Sequence, residues 1–136
     1  MTPCWLDILD ALEAFGPMTT AELAEETARE AEHIGAVCKQ LAEAHHLERG
    51  HIPAAMYRRH AARSTIDDRH HQIARGMAAM GKRRLRTAQQ LDEVATWEEI
   101  SAAARARCVT IRPVLAWSIT PTGRERLGFW RDMGRI

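Results

Sequence analysis

The hydrophobic positions of this chain follow a helical spacing in two stretches that resemble each other. The first stretch, Ile8–Gly16, recurs as Ile73–Gly81, with apolar residues at matching positions and a glycine at the end. Each stretch is followed by a Thr-Ala pair, Thr20-Ala21 in one case and Thr87-Ala88 in the other. An apolar helix, a glycine stop and a second helix capped by threonine form the start of a helix-turn-helix unit. The pattern therefore predicts two such units.

The first copy predicts three helices followed by a short hairpin. Its first helix ends at Gly16-Pro17, and Thr19 and Glu22 have the spacing of a capping box for the second helix. Residues 47–58 predict a hairpin with its turn at residues 50–53. The apolar stripes of the first and third helices consist of Trp5, Ile8, Leu9, Leu12 and Phe15, and of Ile34, Val37, Cys38 and Leu41.

The second copy begins after a polar connector, residues 58–64, which is rich in arginine and histidine. Ser64 or Thr65, followed by Asp67-Asp68, predicts the start of a helix, because acidic residues stabilise the first turn. This helix continues to Gly81. Thr87 is predicted to cap the next helix, whose inward residues are Leu91, Val94 and Ala95.

The end of the second copy predicts a third helix, a wing and an exit helix. Thr96 and Glu99 again have capping-box spacing. Residues 109–119 are β-branched and aromatic with a break at Arg112-Pro113, which predicts a hairpin wing. Thr120-Pro121 begins the exit helix, with proline at its first position. The apolar stripe of that helix consists of Leu127, Trp130 and Met133.

Together these elements predict a mainly α fold with small β-hairpin wings, organised as two tandem winged helix-turn-helix units. The first unit covers residues 1–59, and the second unit, with its exit helix, covers residues 60–136. A chain of 136 residues is long enough for two very small domains of this kind.

The charge of the chain is divided unequally between its halves. The net charge is +1, but residues 1–57 carry three basic and ten acidic residues, and residues 58–136 carry sixteen basic and eight acidic ones. Such a division indicates nucleic-acid contact through the basic half. We therefore expect the acidic N-terminal unit and the basic C-terminal unit to have different partners.

Several other classes of protein are not indicated by the sequence. The three scattered cysteines, Cys4, Cys38 and Cys108, favour reduced thiols in the cytoplasm over a disulfide framework. No apolar run is long enough for a membrane span, and the N-terminus lacks a signal-peptide pattern. The seven histidines have no recognised zinc spacing, and the chain has neither a glycine-rich phosphate loop nor a nucleophile elbow. We predict no catalytic residues, no metal and no cofactor.

A family resemblance rests on the segment Trp117–Leu127, with the sequence Trp-Ser-Ile-Thr-Pro-Thr-Gly-Arg-Glu-Arg-Leu. It resembles the junction between wing and helix in MarR-like and related bacterial winged-helix regulators, where a Leu-Thr-Pro-x-Gly-Arg pattern leads into a helix often used for dimerisation. The order of elements from Thr87 to Leu127 is also similar. The family's long N-terminal dimerisation helix has no counterpart here, so the resemblance implies only the broader winged-helix class.

The candidate DNA-binding residues follow from the positions that a winged helix turns toward DNA. The third helix enters the major groove, while the wing and the helix ends contact phosphates. In the second unit these candidates are Lys82, Arg83, Arg84, Arg86, Thr87, Ser101, Arg105, Arg112 at the predicted wing tip, and Arg124. The alternative for the basic run is a solvated surface without a ligand. The alanine-rich third helix also has few side chains long enough to reach base edges.

The first unit is expected to be a weaker DNA reader. Its third helix presents several carboxylates, which phosphates repel, and only Lys39 and Gln40 suit a groove well. The more economical hypothesis is that this unit packs against something basic, which is the C-terminal unit of the same or a neighbouring chain, or another protein. We also expect a homodimer, with Leu127, Trp130 and Met133 as the candidate contact.

These observations predict sequence-specific binding of duplex DNA by a bacterial or phage transcriptional regulator. An alternative from another class is a winged-helix protein-interaction module, such as a phage or plasmid protein that binds a host protein. The near-zero net charge and the acidic first unit fit that alternative. A replication or partition factor would share the DNA chemistry, and the sequence does not separate it from a regulator.

Overall fold

The computed structural model describes residues 2–134. These residues form a mainly helical protein with a three-stranded antiparallel sheet in the order β2-β1-β3. The predicted fold class is confirmed at that level, and the arrangement as two tandem winged-helix units stays a prediction. The elements are α1 (Cys4–Phe15), α2 (Thr20–Thr27), α3 (Ala31–Glu43), β1 (Leu47–Tyr57), α4 (Arg59–Arg63), α5 (Arg69–Ala79), β2 (Arg86–Thr87), α6 (Trp97–Arg105), β3 (Val109–Ile119) and α7 (Pro121–Asp132).

The chain divides into two compact units. One, which we call the discontinuous unit, contains the residues up to His51 and those from Leu115 onward. The other, the central unit, contains Ile52–Val114. This division differs from the predicted boundary after residue 59, because β1 and β3 each contribute residues to both units.

The two predicted hairpins are wrong. Residues 47–57 and 109–119 each form one uninterrupted strand of 11 residues. Gly50 and Pro53 lie inside β1, and Arg112-Pro113 lies inside β3, although glycine and proline usually mark turns. A proline removes one donor from the ladder but does not by itself break an extended chain.

The helix signals of the discontinuous unit are largely confirmed. Gly16 ends α1 with a φ of 81°, a conformation that favours glycine. Thr19 and Glu22 form the predicted capping box of α2. Phe15, predicted on the inward stripe, is instead 48% exposed. The core comprises Leu6, Ile8, Leu9, Ala11, Leu12, Met18, Leu23, Ile34, Cys38, Leu41, Leu47, Trp117, Ile119 and Leu127.

The central unit differs more from the prediction. The helix predicted to start at Ser64 or Thr65 starts later, at Arg69, with Asp68 as its N-cap. The predicted helix after Thr87 is a series of turns over residues 88–94, with Leu91 buried at its centre. Part of the predicted connector forms the short helix α4. Met80 is 41% exposed rather than inward-facing. The core comprises Ala55, Ala61, Ile73, Ala74, Met77, Leu91, Ala95, Ile100, Ala103, Cys108 and Val109.

A hydrogen-bond pattern recurs after 62 residues. The N–H of His46 donates to the carbonyl of Leu41 at 2.9 Å, and the N–H of Cys108 donates to the carbonyl of Ala103 at 2.9 Å. Both β1 and β3 begin one residue later, and α4 and α7 follow these strands at the same offset. We therefore distinguish a first repeat, residues 4–63, from a second repeat, residues 69–132.

Candidate nucleic-acid interface

The predicted basic run lies on the surface of the central unit, between α5 and β2. Lys82, Arg83 and Arg84 are all exposed. The run follows Gly81, whose φ of 123° is accessible to glycine and strained for other residues. Arg83 Nε donates to the Tyr57 carbonyl at 2.8 Å, which fixes one point of the run against β1.

The next two predicted residues, Arg86 and Thr87, are not available to a phosphate. They form β2, are only 3% and 4% exposed, and pair with Ala55 and Ala54 of β1. The Thr87 N–H donates to Gln90 Oε1 at 3.1 Å and so starts the turns that follow. The prediction that these two residues contact DNA did not foresee their burial, because a run of basic residues does not show which side chains a strand places in the interior.

The helix α6 carries two further predicted residues. Arg105 is exposed on its last turn, and Ser101 is half-buried one turn earlier. The helix begins at the predicted capping box, in which Thr96 Oγ1 accepts from the Glu99 N–H at 3.2 Å and the Glu99 carboxylate accepts from the Thr96 N–H at 3.1 Å. Glu98 is exposed on the same turn. The exposed part of α6 therefore offers one long basic side chain and one carboxylate.

The carboxylate of Glu99 also forms an ion pair with an arginine. Arg69 Nε lies 2.6 Å from Glu99 Oε2, and this hydrogen bond, together with that from the Thr96 N–H, lowers the pKa of the Glu99 carboxyl to about 2. Glu99 therefore stays ionised at neutral pH but is paired with a positive charge. This pairing reduces the repulsion between the Glu99 carboxylate at the start of α6 and a phosphate.

Three exposed arginines of the central unit were missed at the sequence level. Arg107 follows α6 with a φ of 61°, and Arg59 and Arg63 lie one turn apart on α4. Residues 58–64 were predicted to be a connector because they are polar and rich in arginine and histidine. The i, i+4 spacing of Arg59 and Arg63 was the signal for a basic helix face.

Arg112 is exposed, but it lies in the middle of β3 and not at the tip of a wing. The remaining predicted DNA contacts belong to the discontinuous unit. Lys39 and Gln40 are exposed on α3, and Arg124 is exposed on α7. Arg124 Nε lies 2.8 Å from Glu13 Oε2, so its charge is paired.

The two units also differ in charge. The central unit contains twelve basic and six acidic residues, a net charge of +6. The discontinuous unit contains seven basic and twelve acidic residues, a net charge of −5. The predicted DNA contacts are thus divided between a basic and an acidic unit.

The predicted dimer residues lie mostly inside the discontinuous unit. Leu127 is 1% exposed, and Trp130 packs edge-on against Trp5 with ring centroids 5.3 Å apart. Only Met133, at 52% exposed, lies on the surface. Leu127 therefore belongs to the core of the fold and offers no face to a separately folded partner.

One cluster of titratable groups lies at the start of α5. The His71 Nδ1 atom is 2.7 Å from Asp68 Oδ1, and Cys108 Sγ lies 3.9 Å from both ring nitrogens of His71. Burial raises the pKa of the Cys108 thiol, which keeps the thiol protonated and weakens it as a nucleophile. Within residues 2–134, no three histidine, cysteine or acidic side chains form a group that could hold a metal.

Comparisons of the chain with protein-family models, curated protein sequences and solved structures find no match. The resemblance of residues 117–127 to MarR-like regulators stays a prediction. Across the part of the chain that the structure describes, every helix is too short or too polar to cross a membrane.

Proposed function

We propose that the protein binds duplex DNA and that the central unit makes the contact. The observation that carries this proposal is the exposed run Lys82–Arg84, which leads into β2 and α6 in a unit with a net charge of +6. DNA carries a dense row of phosphates, and several exposed basic side chains on one small unit supply the matching charge.

The proposal includes a winged helix-turn-helix fold for the central unit. In support of it, α5 is followed by the short strand β2, the turns 88–94 and α6, and then by β3. This is the order of helices and strands in a winged helix. The strand that pairs with β2 belongs to β1, so in this assignment the wing contains a strand of the first repeat.

The proposed contacts have separate roles. Lys82, Arg84 and Arg107 bind phosphates, and Arg105 points from α6 toward base edges in the major groove. Because α6 offers few long side chains, most of the affinity comes from the phosphate backbone and sequence preference is modest. The role in the cell that we propose is that of a bacterial or phage transcriptional regulator in the cytoplasm.

Fluorescence anisotropy of the protein with a mixed-sequence duplex, titrated from low to physiological salt, tests this proposal. Phosphate binding predicts that the logarithm of the association constant falls linearly with the logarithm of the salt concentration, by about 0.9 for each contact. Absence of binding at low salt would contradict the proposal and would favour the protein-interaction alternative.

A further inference from the structure

The helices of each repeat are packed against strand and helix residues of the other repeat. In the discontinuous unit, the helices α1 to α3 come from the first repeat, while the strand residues 115–119 and α7 come from the second. In the central unit, α5 and α6 come from the second repeat, while the strand residues 52–57 and α4 come from the first.

Each of the two cores contains buried residues from both repeats. Trp117, Ile119 and Leu127 of the second repeat are buried with the helices of the first repeat. Ala55 and Ala61 of the first repeat are buried with the helices of the second. A repeat without its counterpart would expose this apolar surface to water, at a cost that scales with the area exposed.

Backbone hydrogen bonds join the exchanged elements in the same way in both units. The Met18 N–H donates to the Trp117 carbonyl at 3.1 Å, and the Trp117 N–H donates back to Met18 at 2.8 Å. In the central unit, the corresponding pairs are Ala54 with Thr87 and Ala55 with Arg86. None of these contacts depends on whether the two repeats belong to one chain.

The covalent link between the repeats is short and lies on the surface. Residues 65–68 are exposed, and Ile66 is 55% exposed despite its apolar side chain. Side chains of α5 hold the link: Gln72 Nε2 donates to Asp67 Oδ1 at 2.9 Å, and Arg75 makes three further contacts. Arg75 Nη1 donates to the carbonyls of Ser64 and Ile66 at 3.1 and 2.9 Å, and Arg75 Nη2 lies 3.4 Å from Asp67 Oδ1.

We propose that two copies of this chain form a dimer by exchanging repeats, with residues 64–68 as the hinge. In that dimer, each unit contains the same helices and strands as in the monomer. The elements of the first repeat come from one chain, and those of the second repeat come from the other chain. Exchange of identical elements is a low-cost route to a dimer, because both states make the same contacts. Arg75 favours the monomer by fixing the closed form of the hinge.

The length of the link determines how the fraction of exchanged dimer depends on protein concentration. A short link gives the two repeats of one chain an effective mutual concentration on the order of millimolar, so refolding at low protein concentration yields monomer. Refolding at high concentration yields exchanged dimer as well. A link too short to span the two repeats leaves only the dimer.

The test uses the full chain, unfolded in denaturant and refolded at low and at high protein concentration. Size-exclusion chromatography with light scattering measures the dimer fraction of wild type, of Arg75→Ala and of a variant lacking Thr65 and Ile66. Arg69→Ala is the matched control, because it removes an exposed α5 arginine that pairs with Glu99 and does not contact the hinge. We expect a dimer fraction at least twofold higher for Arg75→Ala than for Arg69→Ala, and a predominantly dimeric deletion variant.

A disulfide distinguishes exchange from ordinary association. Ala54 and Thr87 are direct partners in neighbouring strands, at a Cα spacing that suits a disulfide. The double variant Ala54→Cys/Thr87→Cys, in a Cys4→Ser background, is oxidised after refolding at high concentration. In an exchanged dimer the bond joins two chains, and a denaturing gel without reductant shows dimer. Monomeric wild type and Arg75→Ala at high concentration, or dimers with the bond inside one chain, would overturn the proposal even if the deletion variant fails to fold.

Discussion

The backbone N–H of Thr120 donates to the carbonyl of His46 at 3.0 Å. The residues at the equivalent positions, 62 residues away in the other repeat, form the reciprocal hydrogen bond. There the N–H of Arg58 donates to the carbonyl of Cys108 at 2.9 Å. Thr120 and Arg58 each follow a long strand, and His46 and Cys108 each precede one. The two repeats are therefore joined reciprocally, and neither forms a complete core alone.

Gly123 lies where α7 approaches the Thr120–His46 contact most closely. A Cβ atom at this position would lie 2.3 Å from the His46 carbonyl oxygen and 2.9 Å from Ile119 Cγ1. Gly123→Ala must push α7 away from that backbone, and we expect it to lower the free energy of unfolding by about 3 kcal/mol. Urea denaturation followed by circular dichroism measures the change.

Gly128 is the control for this substitution, because it lies in the same helix and a Cβ there would meet nothing within 4 Å. Gly128→Ala is expected to raise the free energy of unfolding by about 0.5–1 kcal/mol through helix propensity. Equal effects of the two substitutions would show that the packing assigned to Gly123 is incorrect.

On the exit helix α7 and its C-cap, Leu127 lies in the core and Met133 lies on the surface. Leu127 is 1% exposed and Met133 is 52% exposed. Leu127→Ala should lower the free energy of unfolding by about 2–5 kcal/mol because it leaves a cavity. Met133→Ala should change it by less than about 0.5 kcal/mol. Thermal and urea denaturation of both variants measure this difference, and a stable Leu127→Ala protein would argue against the exchanged core.

Ala28 ends α2 in the left-handed region, with a φ of 54° and a ψ of 40°. A Cβ atom is unfavourable there, so Ala28→Gly should raise the free energy of unfolding by about 0.5–1 kcal/mol. Ala36→Gly, on the exposed face of α3, should lower it by about 1 kcal/mol. Destabilisation by both substitutions in the same denaturation assay would contradict the geometry at Ala28.

The Arg69–Glu99 pair makes stability depend on pH. The hydrogen bond from Arg69, with a smaller contribution from the Thr96 N–H, lowers the pKa of Glu99 from 4.5 to about 2 in the folded protein, so the stabilisation is present above pH 4.5 and is lost as the pH falls toward 2. Glu99→Gln keeps an acceptor for the cap but removes the charge. We expect its melting temperature to lie below that of wild type at pH 7 and to converge with it near pH 2.

Glu98→Gln is the charge-matched control for this prediction. It removes one negative charge from the same helical turn and leaves the contact between Arg69 and Glu99 intact. Its melting temperature should stay close to that of wild type at both pH values. A Glu99→Gln difference that persists or grows on acidification would contradict the assigned ion pair.

Local signals in the sequence predicted the helices well. Capping boxes at Thr19 and Thr96, the glycine after α1 and the proline at the start of α7 act over a few residues, so a single stretch of sequence contains all the information. There are two exceptions: α4 lies in the predicted connector, and the predicted helix after Thr87 is absent. Its apolar residue Leu91 is buried as expected, but the chain around it forms turns.

Long-range pairing was not predictable in the same way. Gly50 and Pro53 suggested a turn in β1, as Arg112-Pro113 did in β3, but each segment is one strand that pairs with residues distant in the sequence. The burial of Arg86 also depends on strand pairing, which no local pattern encodes. The basic run Lys82–Arg84 was predictable because exposed charge is a compositional feature.

The proposed function requires that the basic central unit, and not the acidic discontinuous unit, contacts DNA. Two double variants that each remove two positive charges test it most directly by salt-dependent fluorescence anisotropy. Lys82→Ala/Arg107→Ala removes two exposed charges that we assign to phosphate contacts of the central unit, and Lys39→Ala/Arg124→Ala removes two exposed charges of the other unit. We predict that the first variant binds at least about tenfold more weakly at low salt and that its salt slope falls by about 2, with both quantities unchanged for the second. Equal losses in the two variants, or no loss in the first, would show that the central unit is not the DNA-binding unit.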